Sequence, residues 1–202
     1  MVTTGFSKPY VAKYANTGQV VNYSGGMALG RGVSVSLEID TEDDNNFHAD
    51  NVVAETATAS FTSGSATITV DGLTNDAATL IFGLPEPEEV TVEPSTPVEM
   101  QGYGELNPPY VGFGFIRRTQ MEGVVEYWPI ILPKVKFGIP SDEAATQEDS
   151  IDWQTQELAA TILRDDTAAG NWKRVSAEGL QTEAEAEAVI KKILNITGGG
   201  LK

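Results

Sequence analysis

Along residues 107–164, apolar side chains recur at alternate positions in four successive runs. Asn107-Pro108-Pro109 opens the first, in which Val111, Phe113 and Phe115 alternate with Gly112, Gly114 and Ile116. Val124–Trp128, Val135–Ile139 and Ser150–Leu163 follow. A period of two sends successive side chains to opposite faces, so one face can be buried and the other solvated. Turn formers at Gln120–Gly123, Pro133–Lys134 and Gly138–Asp149 separate the runs. Together they predict a β-meander or the centre of a β-sandwich. In the last run Ile151, Trp153 and Thr155 share one parity, whereas Leu158, Ala160 and Ile162 share the other. One extra residue near Thr155–Glu157 would restore the face, which predicts a β-bulge there.

The cleanest strand lies earlier, where Val33, Val35, Leu37 and Ile39 alternate with Ser34, Ser36, Glu38 and Asp40. The acidic run Thr41-Glu42-Asp43-Asp44-Asn45-Asn46 and then Phe47–Val52 come next. The flanks of that run are expected to pair as a long hairpin, with the acids at its tip. Thr58–Thr62 and Ala66–Val70 predict two further strands joined by Ser63-Gly64-Ser65. Residues 75–82 predict a short helix capped by Thr74 or Asn75. The stretch 85–97 carries four prolines among glutamates, which predicts an exposed loop or edge segment. Residues 1–32 are rich in glycine and poor in core residues, and predict a weak hairpin or an extended arm around Asn16-Thr17-Gly18.

One helix is expected over 182–195. Thr182 and Glu185 have the spacing of a capping box, and Ala186, Val189, Ile190, Ile193 and Leu194 form an apolar stripe at helical spacing. Glutamates open the helix, and Lys191 and Lys192 close it, in the sense that complements the helix dipole. The whole, 1–202, reads as one mainly β domain: a two-sheet β-sandwich or barrel with a flanking C-terminal α-helix and extended arms.

Composition changes the picture in two ways. Thirteen Lys and Arg against 29 Asp and Glu give a formal net charge of −16. That opposes a basic groove of the kind that neutralises phosphates. Cysteine is absent, which removes disulfide frameworks and thiol chemistry. No apolar stretch follows Lys8 and Lys13, so no signal peptide is expected, and no apolar run is long enough to cross a bilayer.

Candidate chemistry is sparse. Asp40, Glu42, Asp44 and Asn46 alternate as calcium ligands do, but the glycine and the closing glutamate of a calcium loop are missing. His48 is the only histidine, and no GxSxG occurs. No carboxylate pair stands out as a glycosidase dyad, and the glycines at 102–114 are not followed by the Lys of a phosphate loop. No catalytic, cofactor-binding or metal-binding residue is assigned, and no enzyme is expected. Trp128, Trp153 and Trp172 could form a sugar-stacking platform, with core anchoring as the alternative.

Several stretches are similar to the major tail proteins of siphophages, which build the tail tube. They are Asn46–Asn51 with Ala54-Glu55-Thr56, Phe61–Gly64 with Ile68–Leu73, and Pro109–Phe115. The longest runs from Tyr127 to Leu163, notably Trp128, Lys134, Lys136-Phe137, Pro140, Ala144-Ala145-Thr146 and Ser150–Thr155. Trp172 and the helix to Leu194 complete the resemblance. It implies a structural virion protein of the tail, assembled in the host cytoplasm, whose rings, six-membered in that family, stack into a tube for genome ejection. It implies self-association as the main partnership, with tape measure, tail terminator and distal tail proteins as further partners and no membrane. DNA would pass through without specific binding, since an acidic wall repels a polyanion. Thr41, Glu42, Asp43, Asp44, Asn45, Asn46, His48 and Asp50 are the expected contacts between subunits or rings, and Glu38, Asp40 and Glu126 the candidate lumen residues. The inner tube of type VI secretion systems is the related reading. An acidic carbohydrate-binding sandwich is the competing one.

Overall fold

The computed structural model describes residues 2–42, 45–49, 52–57, 60–91, 97–140 and 155–197, with backbone course alone for 45–49 and 52–57. In chain order the elements are β1 (Val2–Thr17), β2 (Val20–Ala28), β3 (Gly32–Thr41), β4 (Asn45–Ala49), β5 (Val52–Ala57) and β6 (Phe61–Val70). Then come α1 (Asn75–Phe82), β7 (Glu88–Val90), β8 (Val98–Met100) and β9 (Tyr110–Met121). The last are β10 (Val124–Phe137), β11 (Gln156–Leu163), β12 (Arg174–Val175) and α2 (Glu183–Ile193). The chain is mainly β, a sandwich with a helix near its C-terminal end, as the alternation predicts.

One antiparallel sheet runs in the order β2-β1-β9-β10-β11-β6-β3, with β12 on β10. It folds over on itself. Val11, Phe113, Phe115, Ile130 and Leu132 from one half face Val135, Phe137, Leu158, Ile162, Ile68 and Val70 from the other. β10 is the corner. It pairs with β9 from Val124 to Lys136, its last four residues also pair with β11, and its register with β9 shifts between Leu132 and Val135. Pro133, which has no N–H to offer a ladder, sits in that irregularity. The expected turn at Pro133–Lys134 is therefore a bend within a single strand, and two predicted strands are one. Ser63-Gly64-Ser65 is likewise strand interior rather than a turn. A Cβ on Gly64 would lie 2.9 Å from Ile39 Cδ1, so the glycine permits close strand contact. The bulge expected near Thr155–Glu157 depends on residues 151–154, outside the described residues.

The hairpin expected around Asn16-Thr17-Gly18 forms between β1 and β2, but the extended, core-poor arm is corrected. β1 lies between β2 and β9, in the interior of the sheet. Val11 enters the main core, while Tyr10 and Ala12 lie under α2. A strand buried on both faces shows no alternation, and so its sequence looked coreless.

The two helices close different openings. α1 is capped by Thr74, whose hydroxyl accepts from Ala77 N–H, and ends on Gly83 in the left-handed conformation. It packs Ala77, Ala78, Ile81 and Phe82 into the core. α2 has the predicted capping box between Thr182 and Glu185. It lays Ala186, Ile190 and Leu194 on the outer face of β1, β9 and β10, against Tyr10, Ile116 and Ile131. Gly114 permits this approach, since a Cβ there would lie 2.7 Å from Ile190 Cγ2. Val189, expected on the packed stripe, is instead 37% exposed.

Candidate functional site

α2 covers only half of the outer sheet surface. The other half, across β3, β6, β11 and the end of β10, is left uncovered by the described residues. On β3 the inward positions Val35, Leu37 and Ile39 pack against the core. Ser34, Ser36, Glu38 and Asp40 therefore point outward. Cross-strand pairing sets the face in rows. Ser34, Ser36, Glu38 and Asp40 stand opposite Thr69, Thr67, Ser65 and Ser63. Thr69, Thr67 and Ser65 in turn stand opposite Glu157, Ala159 and Thr161. Thr161 faces Lys136. The result is a shallow surface of hydroxyls, with Glu38, Asp40 and Glu157 as its acids. Ser34 donates to Thr69 at 3.0 Å, and Ser63 donates to Asp40 Oδ2 at 3.0 Å.

A polar seam divides this face from the half under α2. Lys134 Nζ is 2.8 Å from Asp166 Oδ2 and lies over the rings of Tyr14 and Tyr110. Tyr14 donates to the same carboxylate at 2.7 Å. Hydrogen bonds from Lys134 and then Tyr14 hold Asp166 below the usual carboxylate range. Burial, reinforced by Asp166, pushes the Tyr14 hydroxyl up to about 12. Lys134 is thus neutralised in place. Lys136, over the Tyr110 ring, is the cation left on the open face, with no ion pair among the described residues. Three carboxylates against one free ammonium make the face mildly acidic.

The candidate residues separate into groups. Glu38 and Asp40 lie together on this face. Glu126 does not join them. It shares strand parity with Trp128 and the core residue Ile130, and it abuts Gly179, where an added Cβ would lie 2.7 Å from its own Cβ. Thr41 ends β3, and Glu42 N–H donates to Ser60 C=O at 3.0 Å. Asn45, Asn46 and His48 lie on β4, which pairs with β5 as a hairpin. Asp43, Asp44 and Asp50 lie outside the described residues. β3 pairs with β6 rather than with 47–52, so the acidic run is partway along a longer excursion and not at its tip. The sequence missed this because β6 lies 20 residues downstream of β3 with a second hairpin nested between them.

The two described tryptophans have separate partners. Trp128 donates to the buried Thr119 at 3.0 Å, Trp172 stacks on Phe61 with ring centroids 5.1 Å apart, and Trp153 lies outside the described residues. Among the described residues no His, Cys, Asp and Glu cluster has the arrangement of a metal site, and no helix is long and apolar enough to cross a membrane. The period-two serines and threonines of 34–40 and 63–69 carry the signal of the hydroxyl face. No protein-family model and no curated protein matches the chain.

Proposed function

We propose that this chain is a structural subunit that assembles with copies of itself into stacked rings and a hollow tube, as the resemblance to siphophage major tail proteins implies. The observation that supports this reading best is the open hydroxyl face. It is shallow, rich in small polar side chains and mildly acidic, and it spans β3, β6, β11 and β10. A catalytic or ligand-binding sheet would need convergent groups in a concavity. A wall along which a polyanion slides needs the opposite: no cations clustered to release counterions and no aromatics on which bases stack. Among the described residues β3 is also a sheet edge, and an unpaired edge is a template for pairing with another chain. The nested β4–β5 hairpin offers a second contact between copies. On this reading the protein belongs to a virion tail and acts without cofactor or enzymatic step.

Negative-stain microscopy of the purified protein tests the proposal. Rings or tubes with a stain-filled centre are expected. Uniform small particles at every concentration and ionic strength would overturn it.

A further inference from the structure

The folded sheet does not quite close. Among the described residues the first half of β1 pairs only with β9, since β2 joins it from Tyr10 onward, and β3 pairs only with β6. These two edges face each other. They touch where Phe6 meets Gly32, at which a Cβ would lie 2.4 Å from the ring. Beyond that contact lies a slot of about 340 Å³, lined by Phe6, Val33, Val35, Leu37, Arg117 and Lys173 among others. Its walls are apolar and strand-edged, and its polar end is cationic. Arg117 Nε is buried without a hydrogen-bond partner, and neither Arg117 nor Lys173 makes an ion pair among the described residues. Burial and then the neighbouring Arg117 hold the Lys173 ammonium below its usual pKa. Two half-buried cations with no carboxylate partner among the described residues, in a protein of net charge −16, are complementary to a carboxylate.

The same chain carries a matching piece. β7 and β8 form a small hairpin whose six residues are all exposed. Glu88 stands opposite Met100, and Val90 opposite Val98, so these four share one face, and Glu89 and Glu99 share the other. Val90, Val98 and Met100 are 44%, 53% and 56% exposed. Three apolar side chains and a carboxylate on one strand pair complement an apolar slot with two unpaired cations.

We propose that the slot between β1 and β3 receives the β7–β8 hairpin of a second copy, with the Glu88 carboxylate set against Arg117 and Lys173. The inference rests on the self-assembly reading only in taking another copy as the partner. A contact of this kind is heterologous, using different surfaces on the two copies, and therefore propagates into a ring or a helix.

The absence of cysteine allows a direct test. Ser34→Cys places a thiol at the slot rim and Val98→Cys places one on the hairpin, both at exposed sites. Mixing the two variants under mild oxidation should give a mixed covalent dimer well above the yield of either alone. Lys173→Glu, added to the Ser34→Cys chain, should cut that yield about tenfold or more, and Glu88→Lys in the partner should restore it. A mixture that behaves like its separate components, or a yield indifferent to these charges, overturns the docking. Tubes without the cross-link remove this contact and leave the tube reading intact. The cross-link without tubes does the reverse.

Discussion

The packing of α2 yields the sharpest stability prediction. Ile190 is fully buried between Tyr10, Ile131 and Leu194, and its Cγ2 fills the space above Gly114. Ile190→Ala removes three carbons from a site whose floor is sheet backbone, which collapses little. Truncations of this type cost about 2–5 kcal/mol, and a poorly collapsing site lies toward the upper part, about 3–4 kcal/mol. For a chain of 202 residues each kcal/mol lowers Tm by about 2–4 °C, so a fall of about 6–16 °C is expected. Val189→Ala, one position along the same helix and 37% exposed, should cost under about 1 kcal/mol. Equilibrium urea unfolding of the unassembled protein, followed by far-UV circular dichroism, measures both. If the two substitutions cost the same within about 0.5 kcal/mol, α2 does not pack through its Ala186–Ile190–Leu194 stripe, and the proposed division of the outer surface fails.

Other outcomes follow from single contacts. Gly114→Val should destabilise by about 1–3 kcal/mol, because a Cβ there would lie 2.7 Å from Ile190 and 3.0 Å from Ile131; unchanged urea midpoints would refute the close approach. Burial raises the Glu187 pKa, but hydrogen bonds from Lys191 and Tyr10, with Lys8 at 3.3 Å, outweigh it and hold the carboxyl down at about 2. A group depressed in the folded state contributes stability above its unfolded pKa and loses it as pH falls from about 4.5 to about 2. Glu187→Gln should flatten the stability profile in that window; an identical profile would show that the cluster contributes nothing. Replacing 42–60 by a two-residue Asn-Gly turn between β3 and β6 should leave a folded monomer that no longer makes tubes, and normal tubes would remove the β4–β5 hairpin from the assembly contacts. Duplex DNA at about tens of millimolar salt should not bind the assembled protein, whereas tight, salt-sensitive binding would require a basic wall.

The legible parts of the fold were those with one wet face and local partners. The alternation at 33–40 and 111–115 and the capping box at Thr182 each state their own answer. α1 was visible from Thr74 and a short apolar run. The opaque parts share a cause. β1 is buried on both sides over residues 9–12, so the period-two signal vanishes where the strand is most central. Pro133 reads as a turn in isolation, yet the sheet accommodates it as the bend of a corner strand. The pairing of β3 with β6 across an inserted hairpin is a non-local choice that no window of sequence contains. At the candidate site, Glu38 and Asp40 were readable by parity, whereas the flanking rows from β6 and β11 became visible only through register. The Lys134–Asp166–Tyr14 seam joins residues up to 152 positions apart, beyond any local pattern.

In the proposed tube the hydroxyl face of β3, β6 and β11 is the inner wall. A cryo-electron microscopic reconstruction of the assembled protein measures this directly. A hollow tube is expected, with Ser36, Glu38, Ser65, Thr67 and Thr161 on its lumen and α2 on the opposite side of the wall. A reconstruction with α2 lining the channel, or with the hydroxyl face buried between subunits, would contradict it.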